Sequence, residues 1–151
     1  MSPRLFARSA LSFALVAAMA ASLAGCSNST DLLQLPNSWT LQTSDGHALP
    51  DTIPNSSPVI VVTSATAQIN DNHNYTFTLN GTTDGVEGVV GSDAGTWSIS
   101  HSIILFRSTS SAPQLADYVA AFNGNTINVG MPGQVVHSSN QSVAMTFVAA
   151  P

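Results

Sequence analysis

No lysine occurs anywhere in this chain, and its three cations are Arg4, Arg8 and Arg107. A nucleic-acid binder needs a basic stripe to neutralise phosphates. That stripe is missing, so nucleic acid is excluded as a partner, and contact of the protein surface with anionic headgroups is equally disfavoured. There is one cysteine, Cys26, so no internal disulfide can form. Stability must come from packing and sheet hydrogen bonds. No apolar run reaches the roughly 20 residues of a spanning helix. There is no Gly-x-Ser-x-Gly elbow. No pair of histidines has metal-ligand spacing, and no cofactor is expected.

What is present begins with a short signal-like segment. Arg4 and Arg8 precede a small-residue and apolar stretch, Ala10 to Leu23, centred on Phe13-Ala14-Leu15-Val16-Ala17-Ala18-Met19. A basic n-region followed by an apolar h-region of about 7–15 residues is the layout of a secretory signal. The next residues are Leu23-Ala24-Gly25-Cys26, which resemble the lipobox of bacterial lipoproteins in all four positions. That resemblance implies that Leu23, Ala24 and Gly25 are read by the signal peptidase. It also implies that Cys26 becomes the mature N-terminus, with diacylglycerol on its sulfur and usually an acyl group on its amine. Two or more acyl chains anchor a protein stably, whereas one gives only marginal binding. Lipidation also removes a thiol that would be a liability in an oxidising compartment. Ser27 follows, where an Asp would retain the protein in the inner membrane of well-studied Gram-negative bacteria. An exported, lipid-anchored protein is therefore expected, on the outer membrane if the source is Gram-negative.

From Cys26 onward the only cation is Arg107, against eight carboxylates, for a net charge near −7. That length suits one domain. Three regions are expected: a signal over residues 1–25, a lipidated N-terminus and tether over 26–37, and an all-β domain over 38–151. Residues 27–37 are polar and turn-rich, although Leu32, Leu33 and Leu35 could instead plug one end of a barrel.

The domain itself reads as short strands between turns. Trp39-Thr40-Leu41-Gln42-Thr43 alternates and stops at Asp45-Gly46. Pro50, Pro54 and Pro58 mark a loop crossing a sheet end. Val59 to Ile69 is rich in β-branched residues, and Asn70-Asp71-Asn72-His73-Asn74 is a turn cluster. Tyr75, Phe77 and Leu79 share one face of a strand closed by Asn80-Gly81, leaving Asp84-Gly85 in a longer loop. Val86 to Val90 and Gly95 to Ser100 flank a turn or bulge at Gly91-Ser92-Asp93. Ser100-His101-Ser102 is a tight hairpin into Ile103–Arg107. Gln114 to Asp117 leaves room for a short helix. Tyr118–Phe122 and Thr126–Val129 form a hairpin across Asn123-Gly124-Asn125, and Ser142–Val148 is the last strand. Eight or nine strands with turns every 8–12 residues fit an antiparallel barrel or sandwich.

Three segments resemble small bacterial lipoproteins with a lipocalin-like domain. Trp39-Thr40-Leu41 with Gly46-His47-Ala48-Leu49-Pro50 is similar to their opening motif. Asp71-Asn72-His73-Asn74-Tyr75 stands where they carry a turn and strand, and Gly95-Thr96-Trp97-Ser98-Ile99 stands where they carry a hairpin. Lipocalins usually carry Gly-x-Trp on the first strand, and here the sequence is Asn37-Ser38-Trp39. The resemblance implies an antiparallel up-and-down barrel of about eight strands, a size that holds side chains or one small ligand.

His47, His73, His101 and His137 fall in separate turns and read as solvated. Asp71-Asn72-His73-Asn74 lacks the ligand spacing of a calcium loop. Arg107 is expected to pair with an acidic neighbour. Trp39, Tyr75, Phe77, Trp97 and Phe122 are expected to build the core or line a ligand cavity. The expected function is non-catalytic: a membrane-anchored lipoprotein whose barrel binds a small apolar ligand, or one that is filled and docks an envelope protein.

Overall fold

The computed structural model describes residue 35, residues 37–109, 115–140 and 142–151. The signal segment, Cys26 and nearly all of the tether lie outside the described residues. The described residues are strand, turn and coil, with no helix.

Ten strands follow in order: β1 (Ser38–Ser44), β2 (His47–Ala48), β3 (Asp51–Thr52), β4 (Ile60–Ile69), β5 (Asn74–Thr83), β6 (Val86–Ser100), β7 (Ile103–Ser108), β8 (Tyr118–Asn123), β9 (Thr126–Pro132) and β10 (Ser142–Ala149). β4 to β10 form a continuous antiparallel meander. β10 pairs with β1, with Trp39 opposite Ala149, and β1 returns to β4, with Trp39 opposite Ala67. The result is a closed eight-stranded up-and-down barrel, with β2 and β3 as short additions at one rim. Closure pairs the first barrel strand, β1, with both β10 and β4.

Alternation sorts the side chains. Tyr75, Phe77 and Leu79 point inward and are buried, while Thr76 is exposed. Three β-bulges, at Gln42, Thr63 and Val90, each interrupt a ladder by one residue. Because strand faces alternate with period two, an extra residue moves the inward set along by one. The inward positions accordingly step from Leu41 to Ser44 and from Val62 to Ala65, and Val90 and Gly91 are both buried. The added twist bends the sheet toward closure.

Several turns follow from two-residue loops. Asp45-Gly46 and Asp84-Gly85 both hold positive φ at both positions, the form whose twist matches a hairpin. Gly124 holds φ +61 in the β8–β9 turn, and His101 holds φ +57 in the β6–β7 turn.

The structure corrects three expectations. Asn80-Gly81 does not close β5, which runs on to Thr83, and the hairpin turns at Asp84-Gly85. Gly81 is instead a tight point within the strand, where a Cβ would collide with the backbone carbonyl of Val61. Gly91-Ser92-Asp93 does not divide two strands, because β6 runs unbroken and the bulge lies at Val90. Leu115, Ala116 and Asp117 are not helical, and Gln114 lies outside the described residues.

At one end of the barrel, two loops interlock. Ser138 Oγ donates to Pro54 O (2.7 Å), Ser139 N–H to Asn55 O (3.1 Å), and Asn55 Nδ2 to Asn140 Oδ1 (2.9 Å). Ile53, Val135 and Val136 from these loops are buried in the core.

Candidate functional site

The barrel interior is the natural place to look, because inward side chains either fill such a barrel or surround a ligand. Phe106 lies at its centre, with ring centroids 4.8 Å from Tyr75, 5.2 Å from Phe77 and 5.3 Å from Tyr118. Phe77 continues to Phe147 at 5.4 Å. These are edge-to-face and tilted contacts of the kind aromatic rings prefer, each adding about 0.5–1.5 kcal/mol beyond area burial.

Of the five rings singled out from sequence, Tyr75 and Phe77 belong to this cluster. Trp39 is fully buried and meets Phe122 edge-on at 6.1 Å. Trp97 sits apart from that pair, its Nε1–H donating to Asn70 O (3.0 Å) and its ring packed on His73 at 5.2 Å. It therefore ties the β4–β5 turn to β6. Leu35 is buried in the same core, whereas Leu32 and Leu33 lie outside the described residues.

Two polar side chains are buried among the described residues, Ser44 and Asp93, and Asp93 is the ionisable one. Asp93, on β6, is 2% exposed and sits between Gly91 and Gly95 on the inward face. Its Oδ2 accepts hydrogen bonds from Tyr75 Oη (2.6 Å) and Tyr118 Oη (2.7 Å), and its Oδ1 accepts one from Ser108 Oγ (2.5 Å). The two phenol oxygens are 3.3 Å apart. A buried carboxylate is costly unless hydrogen-bonded, and hydroxyl donors at this range are the short, charge-assisted kind.

Burial holds both phenols well above the ordinary tyrosine value. For Tyr75 the bond to Asp93 adds to the desolvation; for Tyr118 the neighbouring Tyr75 does, and then Asp93. Both therefore remain protonated donors at any physiological pH. The four groups join β5, β6, β7 and β8, and the carboxylate oxygens are turned onto the chain's own hydroxyls. The arrangement is an internal clasp.

Sequence reasoning missed Asp93, because Gly-Ser-Asp has the composition of a turn. The available signal was the spacing Gly91-x-Asp93-x-Gly95-x-Trp97, which places all four on one strand face.

Outside the barrel, Arg107 pairs with Asp117 at 3.3 Å, both largely exposed. Such surface pairs contribute about 0–1 kcal/mol. His47, His73, His101 and His137 stand apart, and among the described residues no three metal-ligating side chains cluster. A shallow, open depression of about 470 Å³ lies on the outer wall between Thr63, Asn80, Gly81, Glu87, Gly88 and Val89.

No family model matches the chain, and neither does any curated protein or solved structure.

Proposed function

We propose that this chain is a lipid-anchored lipoprotein of the bacterial envelope whose barrel is a filled, non-catalytic module acting through its outer surface on another protein. The observation that carries the second half is the packing of Phe106 against Tyr75, Phe77 and Tyr118 at 4.8–5.3 Å. Tyr75 and Phe77, two of the five rings expected to build the core or line a cavity, pack here against other rings. Val135, Val136 and Ile53 are buried in the same core from the loops at one end. Among the two expectations drawn from sequence, this packing supports the protein-docking barrel over the carrier of a small apolar ligand.

The first half rests on Leu23-Ala24-Gly25-Cys26 and the apolar segment before it. The resemblance to lipocalin-like lipoproteins agrees with the lipid anchor and with a barrel of this size. A thioether-linked diacylglycerol on Cys26 would hold the protein on the membrane without a spanning helix.

Two measurements test the proposal. Intact mass of the mature protein should show acyl additions on a chain beginning at Cys26, and Cys26→Ala should leave an uncleaved precursor or a protein released from the membrane fraction. An unmodified N-terminus elsewhere would refute the anchor. Titration with a fluorescent fatty acid should leave the tryptophan emission unchanged, because Trp39 is sealed in the core. A saturable shift in that emission would restore the ligand carrier.

A further inference from the structure

Along part of β6, one side of the strand has no pairing partner among the described residues. β6 pairs with β5 along its length, but β7 takes the other side only from Gly95 to Ser100. The Thr109 N–H and hydroxyl both donate to Ala94 O, at 2.9 and 3.1 Å, which closes the next position. Farther toward the hairpin tip, no described residue pairs with the second side of Val86–Val89. All four of these residues are exposed, Val86 at 72% and Val89 at 63%. Val59, at 53%, lies beside the tip, its N–H bonded to Asp84 Oδ1. An unpaired strand edge is a template for another strand.

We propose that the edge at Val86–Val89 receives an extended, basic segment of another protein as an added antiparallel strand. Charge selects the occupant. Asp84 and Glu87 stand at this tip, and from Cys26 onward the chain has eight carboxylates and one cation, Arg107, which is already paired with Asp117. A second copy would bring the same two carboxylates to the same edge with no cation to meet them. A lysine or arginine of a different protein meets Glu87 favourably across the strands.

The side-chain pattern narrows the segment further. Glu87 and Val89 share the outer face with Thr63 and Asn80, around the shallow depression. Gly88 points the other way, and nothing lies within 4 Å of where its Cβ would be. A ring on the incoming strand can cover an edge glycine of this kind. The segment thus places a cation opposite Glu87, an aromatic residue opposite Gly88 and an aliphatic one opposite Val89. This inference rests on the reading of the barrel as a protein-docking module and not on the lipid anchor, so loss of acylation on Cys26 leaves it standing.

The test uses the full chain in detergent and the capped hexapeptide Thr-Val-Tyr-Lys-Val-Thr, followed by fluorescence anisotropy. Saturable binding is expected, weakened about tenfold by Glu87→Lys as attraction becomes repulsion. The same variant should regain affinity for the peptide with Glu in place of its Lys. N-methylation of alternate peptide amides should abolish binding, because the added strand is held by main-chain hydrogen bonds. Absence of saturable binding overturns the proposal, as does equal affinity of Glu87→Lys for both peptides or retained binding of the methylated peptide. A dimer of the unmixed protein in sedimentation, broken by Glu87→Lys, would make a second copy the occupant and overturn it too.

Discussion

Tyr118 and Asp93 stand on β8 and β6, strands that are not neighbours in the barrel, and meet across its interior in a 2.7 Å hydrogen bond. The bond bridges β7 and so fixes the curvature of three strands at once. Removing the hydroxyl in Tyr118→Phe leaves the carboxylate one donor short inside an apolar core. A cost of about 1–3 kcal/mol is expected in urea unfolding. Asp93→Asn in the same background should show strong coupling in a double-mutant cycle, and simple additivity would show that the pair does not act together.

The same clasp sets the alkaline limit of the fold. Tyr75 and Tyr118 are the only tyrosines in the chain, and both have their ionisation pushed up by burial. Above the ordinary phenol value of about 10, the unfolded chain loses both protons while the folded one keeps them. Stability is therefore full below about pH 10 and declines as pH rises further, by up to about 1.4 kcal/mol per pH unit for each phenol. Tyrosinate absorbance should appear together with loss of the circular dichroism signal. Ionisation of either phenol in a still-folded protein would contradict the buried geometry.

Facing on β5 gives a cleaner contrast. Phe77 is fully buried and touches the rings of Tyr75, Phe106 and Phe147. Phe77→Ala should cost about 3–5 kcal/mol, a large share of the 5–15 kcal/mol typical of a domain. Thr76→Ala, on the exposed face, should stay within about 0.5 kcal/mol. Equal losses in thermal or urea unfolding would reverse the assigned facing.

The alternation of apolar and polar residues made most of this barrel legible, because one buried face writes itself into each of the eight barrel strands. Asp45-Gly46 and Asn123-Gly124-Asn125 were legible for a similar reason, since positive φ restricts which residues can stand there. What stayed hidden depends on residues distant in sequence. Asp93 looks like a turn residue until Tyr75, Tyr118 and Ser108 are brought to it. Val135 and Val136 read as loop residues, and only the docking of that loop against Pro54 and Asn55 explains their burial. The side of Val86–Val89 that no described residue pairs emerges from the difference in length between β6 and β7, which no local pattern records.

Gly81 shows the same limit most sharply, and it yields the final prediction. Asn80-Gly81 has the local signature of a hairpin turn, yet Gly81 lies within β5 directly opposite Gly88 of β6. A Cβ at Gly81 would overlap the Val61 carbonyl of β4, whereas one at Gly88 meets nothing within 4 Å. Neither glycine holds positive φ, so conformational preference does not separate them and the approach of β4 does. Gly81→Ala must push two strand backbones apart and should cost on the order of 1–3 kcal/mol, as overpacking does. Gly88→Ala should be neutral or slightly stabilising, because it lowers the entropy of the unfolded chain. Unfolding midpoints of the two variants, measured side by side, decide the matter. A Gly81→Ala protein as stable as Gly88→Ala would mean that β4 and β5 do not approach as closely at this level as the barrel requires.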